Sequence, residues 1–320
     1  LNDYFGKMID VIDEYGGDVV KFAGDALIVV WSIASASGTA DSASEEAKRQ
    51  ATLRAVECSL KIREKMLNYN AEGSPLYLKM ALATGLITEV HVGGVFNRWE
   101  FVLIGEPLVE LGFANHEAKA GDILLSPSSL VLVNKDIEST PVEFDVNGAK
   151  QKAARLTRLK NSSQLPAGKE RLVIPDNLQA SLTPYIPGSV INRVVAGQSE
   201  WLAELRKVTI IFINILETER SLSLEMAQNL MRVIQRTVYR YEGSLNKISQ
   251  DDKGIMVDAA FGLPPLSHGD DPLRGIQAGM AIRDELKKLG VHSSIGITTG
   301  RVFCGLVGND VRRVYTFLGN

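Results

Sequence analysis

Cysteine is nearly missing from this 320-residue chain. Cys58 and Cys304 are too few for a disulfide framework or a thiolate metal cluster. Histidine is as scarce. His91, His116, His268 and His292 are scattered, without the short spacing that metal ligands take. No apolar run approaches the roughly 20 residues that a membrane-spanning helix needs. Excess charge of either sign is lacking too: 35 Lys and Arg stand against 38 Asp and Glu, so nothing points to a nucleic-acid partner. No signal peptide opens the chain, and a reducing, cytoplasmic setting is the expectation. The first residue is Leu1, inside a helical pattern, so the chain reads as a piece of a longer protein. What remains is ordinary globular material, 45% hydrophobic and 23% charged, long enough for about two domains.

The stretch from Val19 to Trp31 organises the rest. An apolar run enters Gly24-Asp25 and a second apolar run leaves it, which predicts a tight β-hairpin with Asp25 at its tip. Before it, Phe5, Met8, Ile9 and Ile12 recur on one helical face that Gly16-Gly17 stops. After it, patterning predicts helices over Glu45–Tyr69 and Glu106–Ala120. Strands are expected over Leu76–Thr84, Leu86–Val92, Glu100–Ile104, Asp122–Leu125 and Val142–Val146. From Lys150 to about Gly197 periodicity fades, as in a linker with short ordered pieces. A buried-strand run, Val208–Ile213, opens a second series. It continues as a helix over Leu222–Tyr241, a hairpin of Leu245–Ile248 with Gly254–Phe261, and a helix over Asp271–Leu289. Strands over Ser294–Thr299, Val302–Val307 and Val314–Leu318 close it.

The two series repeat each other. Tyr15-Gly16-Gly17 leads to Lys21, and Tyr241-Glu242-Gly243 leads to Lys247. Asp25 stands four residues past Lys21, and Asp251 four past Lys247. Ala83-Thr84-Gly85 matches Thr298-Thr299-Gly300, and Phe101–Gly105 matches Tyr315–Gly319. Such a duplication suggests a pseudo-symmetric pair. A duplicated structural domain with no active site is the alternative at this point.

Lys21-Phe22-Ala23-Gly24-Asp25, with Gly305–Gly308 and Arg312–Gly319 in the second half, resembles the class III nucleotidyl cyclases. The tandem arrangement, with Gly197–Arg206 before the second copy, looks like the soluble, bicarbonate-sensitive adenylyl cyclase type. The resemblance implies an α+β fold: two ferredoxin-like βααββαβ domains forming an intramolecular pseudo-dimer. It divides the chain into 1–150, the metal-binding half; 151–204, a linker; and 205–320, the base-selecting half. It implies ATP as substrate, cyclised by attack of the 3′-hydroxyl on the α-phosphorus with two Mg²⁺ (or Mn²⁺) ions. A guanylate cyclase and a non-catalytic, nucleotide-sensing pseudocyclase are the alternatives.

Asp25 matches one of the family's two metal aspartates. Asn214 stands where the second copy would carry the other, and Asn is a weak, neutral ligand, so this half resembles the non-metal partner. Asn214 precedes Lys247 by 33 residues; the same spacing carried back from Lys21 falls before Leu1. Lys247 matches the adenine-selecting lysine and Thr316 its partner. Lysine can only donate, which suits adenine N1, and guanylyl cyclases place Glu there. A solvated strand-end lysine is the plain alternative for Lys247, and an exposed strand lysine for Lys79, which lies where the family has a basic phosphate contact. The transition-state Asn and Arg of the family fall past Asn320, so the 320 residues alone are expected to turn over little ATP. Lys21 matches the lysine of the regulatory anion pseudo-site, where bicarbonate is the implied partner. The arginine of that site falls at Gly112, which offers no charge and no side-chain donor. Half of the anion clamp is absent, which counts against bicarbonate activation.

Overall fold

The structure, a computed structural model, describes residues 2–24, 26–33, 43–67, 69–71, 74–146, 149–161, 175–187, 190–191, 204–216 and 223–319. In chain order the main elements are α1 (Asn2–Glu14), β1 (Asp18–Ala23), β2 (Ala26–Val30), α2 (Glu45–Met66), β3 (Met80–Leu82), β4 (Thr88–Val95), β5 (Arg98–Ile104), α3 (Glu106–Glu117), β6 (Ile123–Leu125) and α4 (Pro127–Val133). Then follow β7 (Ile137–Val146), β8 (Ala149–Leu159), β9 (Glu204–Leu216), α5 (Leu224–Arg240), β10 (Ser244–Asp251), β11 (Gly254–Phe261), α6 (Asp271–Lys288), β12 (His292–Gly308) and β13 (Arg313–Leu318). Helices and sheets mix in both halves, as expected. No helix among the described residues is long and apolar enough to cross a membrane.

The chain forms two compact units, and neither is a contiguous stretch. One comprises Leu1–Ile87, Gly105–Arg171 and Gly308–Arg313; the other comprises Thr88–Ile104, Leu172–Val307 and Val314–Asn320. Each unit therefore takes a hairpin segment from the opposite half of the sequence. This differs from the division at 150 and 205, and the packing explains why. Val90, Val92 and Val102 of the β4–β5 hairpin are buried in the same cluster as Ile211, Ile213, Ile234 and Val257. An apolar hairpin face is stable only where a core covers it.

In the first unit, α1 buries Phe5, Met8, Ile9 and Ile12, the face its periodicity marks. Gly17 follows in close quarters: a Cβ there would lie 2.8 Å from Ile12 Cγ2 and from Trp31 Cζ2, so only glycine fits. β1 and β2 then pair antiparallel as the predicted hairpin. Ser44 caps α2 by accepting a hydrogen bond from the Ala47 N–H (3.1 Å). A four-stranded sheet runs in the order β3-β6-β8-β7, with β3 parallel to β6 and the other pairs antiparallel. β8 occupies residues expected to begin the linker. Its alternation is masked by the basic run Lys150 to Arg158, yet Ala153, Ala154 and Leu156 are buried. Cys58 lies under α1, its Sγ 4.0 Å from the Val11 carbonyl oxygen, and burial pushes its thiol up to about 12. Iodoacetamide at pH 8 should therefore leave Cys58 unmodified in the native protein and alkylate it in urea. Peptide mass mapping reads the result, and native-state alkylation at the rate of an open thiol would contradict it.

The second unit holds a five-stranded sheet in the order β10-β11-β9-β12-β13, its β10–β11, β11–β9 and β9–β12 pairs antiparallel. Between β9 and β10 one helix, α5, lies among the described residues, where the resemblance implies two. β12 is a single strand across Gly300, where two strands were expected, because Glu204–Leu216 of β9 pairs with it without interruption. α5 is capped by Ser223, which accepts from the Met226 N–H (3.2 Å). Leu230, Ile234 and Val238 of α5 and Ala278, Ile282 and Leu286 of α6 join the core with Ile211, Ile213, Val257 and Ala259 of the sheet. Strand side chains alternate, so Phe212, Asn214 and Asp258 stand on the opposite face.

Candidate functional site

That opposite face of the five-stranded sheet is the place where the chemistry-bearing residues of the second half gather. Register partners run across it in rows. Lys247 pairs with Asp258, Asp258 with Phe212, and Phe212 with Gly296. The next row is Ser249, Met256, Asn214 and Ser294. Rows on one face are about 7 Å apart, two residues along a strand. Asn214 is therefore a neighbour of the lysine row. Phe212 keeps 40% of its surface exposed, unlike the core positions on either side of it.

A β-bulge puts Lys247 on this face. Leu245 pairs with Ala259 and Lys247 with Asp258, so Asn246 is an extra residue in β10. Without it Lys247 would face Val257 and the apolar core. The bulge re-aims the side chain, as bulges beside functional sites do. The first half repeats the device. Val19 pairs with Val29 and Lys21 with Ile28, leaving Val20 as the extra residue. The two lysines found in the sequence repeat are thus matched in backbone geometry as well. They differ in partner: an apolar Ile28 opposite Lys21, a carboxylate opposite Lys247.

The electrostatics of Lys247 follow from that setting. Burial holds its ammonium below the usual lysine range, and the Asp258 carboxylate works against that shift. Asn214 Oδ1, Asn246 Nδ2 and Thr316 Oγ1 are among the polar atoms of this unit that are buried without a hydrogen-bond partner. Unpartnered buried polar atoms are rare, because each forgoes its hydrogen bonds to water. Thr316 is on β13, in the same unit as Lys247 and at the opposite edge of the strand order.

Other expected site residues fare differently. Asp25 lies outside the described residues. Lys79 is exposed, and its Nζ donates to the Asn115 carbonyl (2.7 Å) near the end of α3, a contact that holds strand-flanking chain to helix. Lys21 is half-buried on β1, and Gly112 lies within α3. Asp258 was not picked out from the sequence. Its signal was there: one charge in the otherwise apolar run Ile255–Phe261. Among the described residues no group of three or more His, Cys, Asp or Glu is placed to hold a metal ion. Asn214, the position matching a metal aspartate, offers a neutral amide. The described residues do not by themselves fit a divalent cation.

No family model matches the chain. Curated relatives do. Adenylate cyclase type 10 of Homo sapiens is 28% identical over 355 residues, and that of Mus musculus 28% over 356 residues; each comparison covers 100% of this chain and 21% of the relative. The chain thus spans about a fifth of the length of the relatives it matches. Among solved structures, the adenylyl cyclase CyaB from P. aeruginosa aligns with a TM-score of 0.33 and 22% identity, over 37% of this chain and 68% of that one. The guanylate cyclase domain of RhGC from Catenaria anguillulae, in complex with GTP, aligns with a TM-score of 0.39 and 20% identity, over 50% and 82%. Scores below 0.5 are too low to carry an argument about fold or site. Over its whole length the chain is similar to adenylate cyclases of type 10, which are homologues of it.

Proposed function

We propose that the chain is the tandem catalytic region of a class III adenylate cyclase, converting ATP to 3′,5′-cyclic AMP and pyrophosphate. The observation that carries the reading is Lys247, aimed by a bulge onto the open face of the second unit's sheet. A part-buried ammonium donates to adenine N1. Thr316 stays as the second adenine contact in this reading on its match to the family, its Oγ1 buried without a hydrogen-bond partner. Guanine presents N1–H where adenine presents a lone pair, so Lys247 disfavours it there. In this reading Asp25 is a metal ligand and Mg²⁺ or Mn²⁺ is required by the parent protein. The described residues do not furnish the metal's site. Lys79 and Lys21 stay as a phosphate contact and an anion contact in this reading. Gly112 leaves bicarbonate without its second clamp.

The test is turnover by the full-length protein with Mg²⁺ or Mn²⁺, measuring cyclic AMP from ATP and cyclic GMP from GTP side by side. Cyclic AMP in at least about tenfold excess is expected, the discrimination that one well-placed polar contact gives. Cyclic GMP in excess would turn the reading to a guanylate cyclase. Nucleotide binding with neither product would make it a pseudocyclase. Adding bicarbonate at fixed pH should change the rate little, and strong stimulation would show that the clamp does not need Gly112 to be arginine.

A further inference from the structure

We propose that Asp258 is a positioning residue of the base site: its carboxylate, opposite Lys247 on the neighbouring strand, keeps that lysine protonated and aimed at the purine. The inference rests on the adenylate cyclase reading and adds to it a second determinant of base recognition.

Three observations converge. The bulge at Asn246 makes Lys247 and Asp258 register partners on the open face of the sheet, rather than placing the lysine over the core. Directly opposed residues in a sheet have Cβ atoms about 5 Å apart, close enough for a lysine and an aspartate to interact. Both side chains are half-buried, where an ion pair is poorly screened and a lone ammonium tends to lose its proton. Asp258 is also out of keeping with its strand. Ile255, Val257, Ala259 and Phe261 bury on the core face, and a half-buried carboxylate on the other face is unfavourable unless it is paired.

The other charged groups near Lys247 do not replace it. Glu100, on the β5 strand packed beside β10, lies 3.1 Å from the Arg98 guanidinium. Asp251 and Asp252 sit at the far end of the hairpin, and the Asp251 carboxylate accepts from the Lys253 N–H (2.8 Å). In the first half, Lys21 has Ile28 in the corresponding place. The chemical sense of the pairing is simple. A protonated lysine donates to adenine N1. A neutral amine, left to desolvation alone, loses most of that preference.

The experiment compares full-length wild type with D258N and D258E. Trace labelling of lysines with acetic anhydride, read by mass spectrometry across a pH series, gives the ionisation of Lys247 without any need for turnover. Steady-state kinetics with ATP give KM and kcat over the same range. In D258N the ionisation of Lys247 should move down by about one unit. In the pH range between the ionisation of Lys247 in wild type and in D258N, the ATP KM should rise by up to about tenfold, with kcat changed less than about threefold, as expected for lost binding. D258E, which restores the charge, should recover most of both effects. An unmoved Lys247 or an unchanged ATP KM in D258N overturns the inference. Wild type that cyclises ATP while D258N keeps its KM overturns this inference alone. Wild type that neither binds nor converts nucleotide overturns the cyclase reading and this one with it.

Discussion

Replacing Gln235 by leucine is expected to lower the unfolding free energy of the second unit by about 2–5 kcal/mol, through two buried backbone groups left without partners. Gln235 is fully buried in α5. Its Nε2 donates to the Arg98 carbonyl (2.9 Å), and its Oε1 accepts from the Val95 N–H (3.1 Å). Those groups belong to Val95 and Arg98, the last register pair of the β4–β5 hairpin, next to the slip between Gly93 and Val95. The side-chain amide bridges the two strands at that pair. Leucine keeps the volume and removes both bonds. Gln228 supplies a contrast. It accepts from the Gly93 N–H (2.8 Å) and donates to the Gly93 carbonyl (2.9 Å), but it is only half-buried, so water can take its place. Gln228→Leu should cost about 1 kcal/mol or less. Urea titration followed by circular dichroism checks both, with the midpoint lowered and the slope unchanged. A Gln235→Leu protein within about 0.5 kcal/mol of wild type would show that the hairpin does not depend on this amide.

Removal of the lysine on the open face carries the largest expected effect on activity. Lys247→Ala in the full-length protein should reduce kcat/KM for ATP by about 100-fold, or about 2.7 kcal/mol at 25 °C. The loss should fall mainly on ATP. GTP use, expected to be the poorer of the two, should fall less, so the preference between them narrows. Thermal unfolding should remain cooperative, because burial disfavours the Lys247 ammonium and its removal takes away a strained charge. ATP turnover within about threefold of wild type would remove the base-reading role. Assigning that role by deletion is a difference measurement, and the neighbouring Asp258 makes non-additivity with D258N the expected result of the double variant.

Much of this arrangement can be read from residue order. The helical stripes of Phe5, Met8, Ile9 and Ile12, or of Leu230, Ile234 and Val238, bury as their periodicity demands. The Gly24-Asp25 hairpin and the repeat linking Lys21 to Lys247 are equally plain. What could not be read is where one residue too many sits. The bulges at Val20 and Asn246 carry no glycine and no turn signal, so strict alternation would have sent both lysines to the wrong face. Nor does local pattern say which core a hairpin joins. Val90, Val92 and Val102 alternate as any half-buried hairpin does, and only packing reveals that their partners lie more than a hundred residues on. Asp258 shows the converse: a single charge in an apolar strand is visible at once, but its meaning needs the opposing residue.

The borrowed hairpin segments bear on how the chain comes to be folded. Residues 308–313 complete the first unit: Asn309 Nδ2 donates to Asp10 Oδ1 (2.8 Å) and to the Gly6 carbonyl, and the Gly308 N–H reaches Asn2 Oδ1. A ribosome therefore delivers the N-terminal helix some three hundred residues before its last partner emerges. The first unit must wait half-dressed, with the face of α1 around Gly6 open, until residues 308–313 have been made. Contacts of such long sequence separation slow the final step of folding and favour late locking over domain-by-domain completion. A cut between residues 104 and 308 would accordingly leave two pieces, with residues 308–313 parted from the α1 contacts they make.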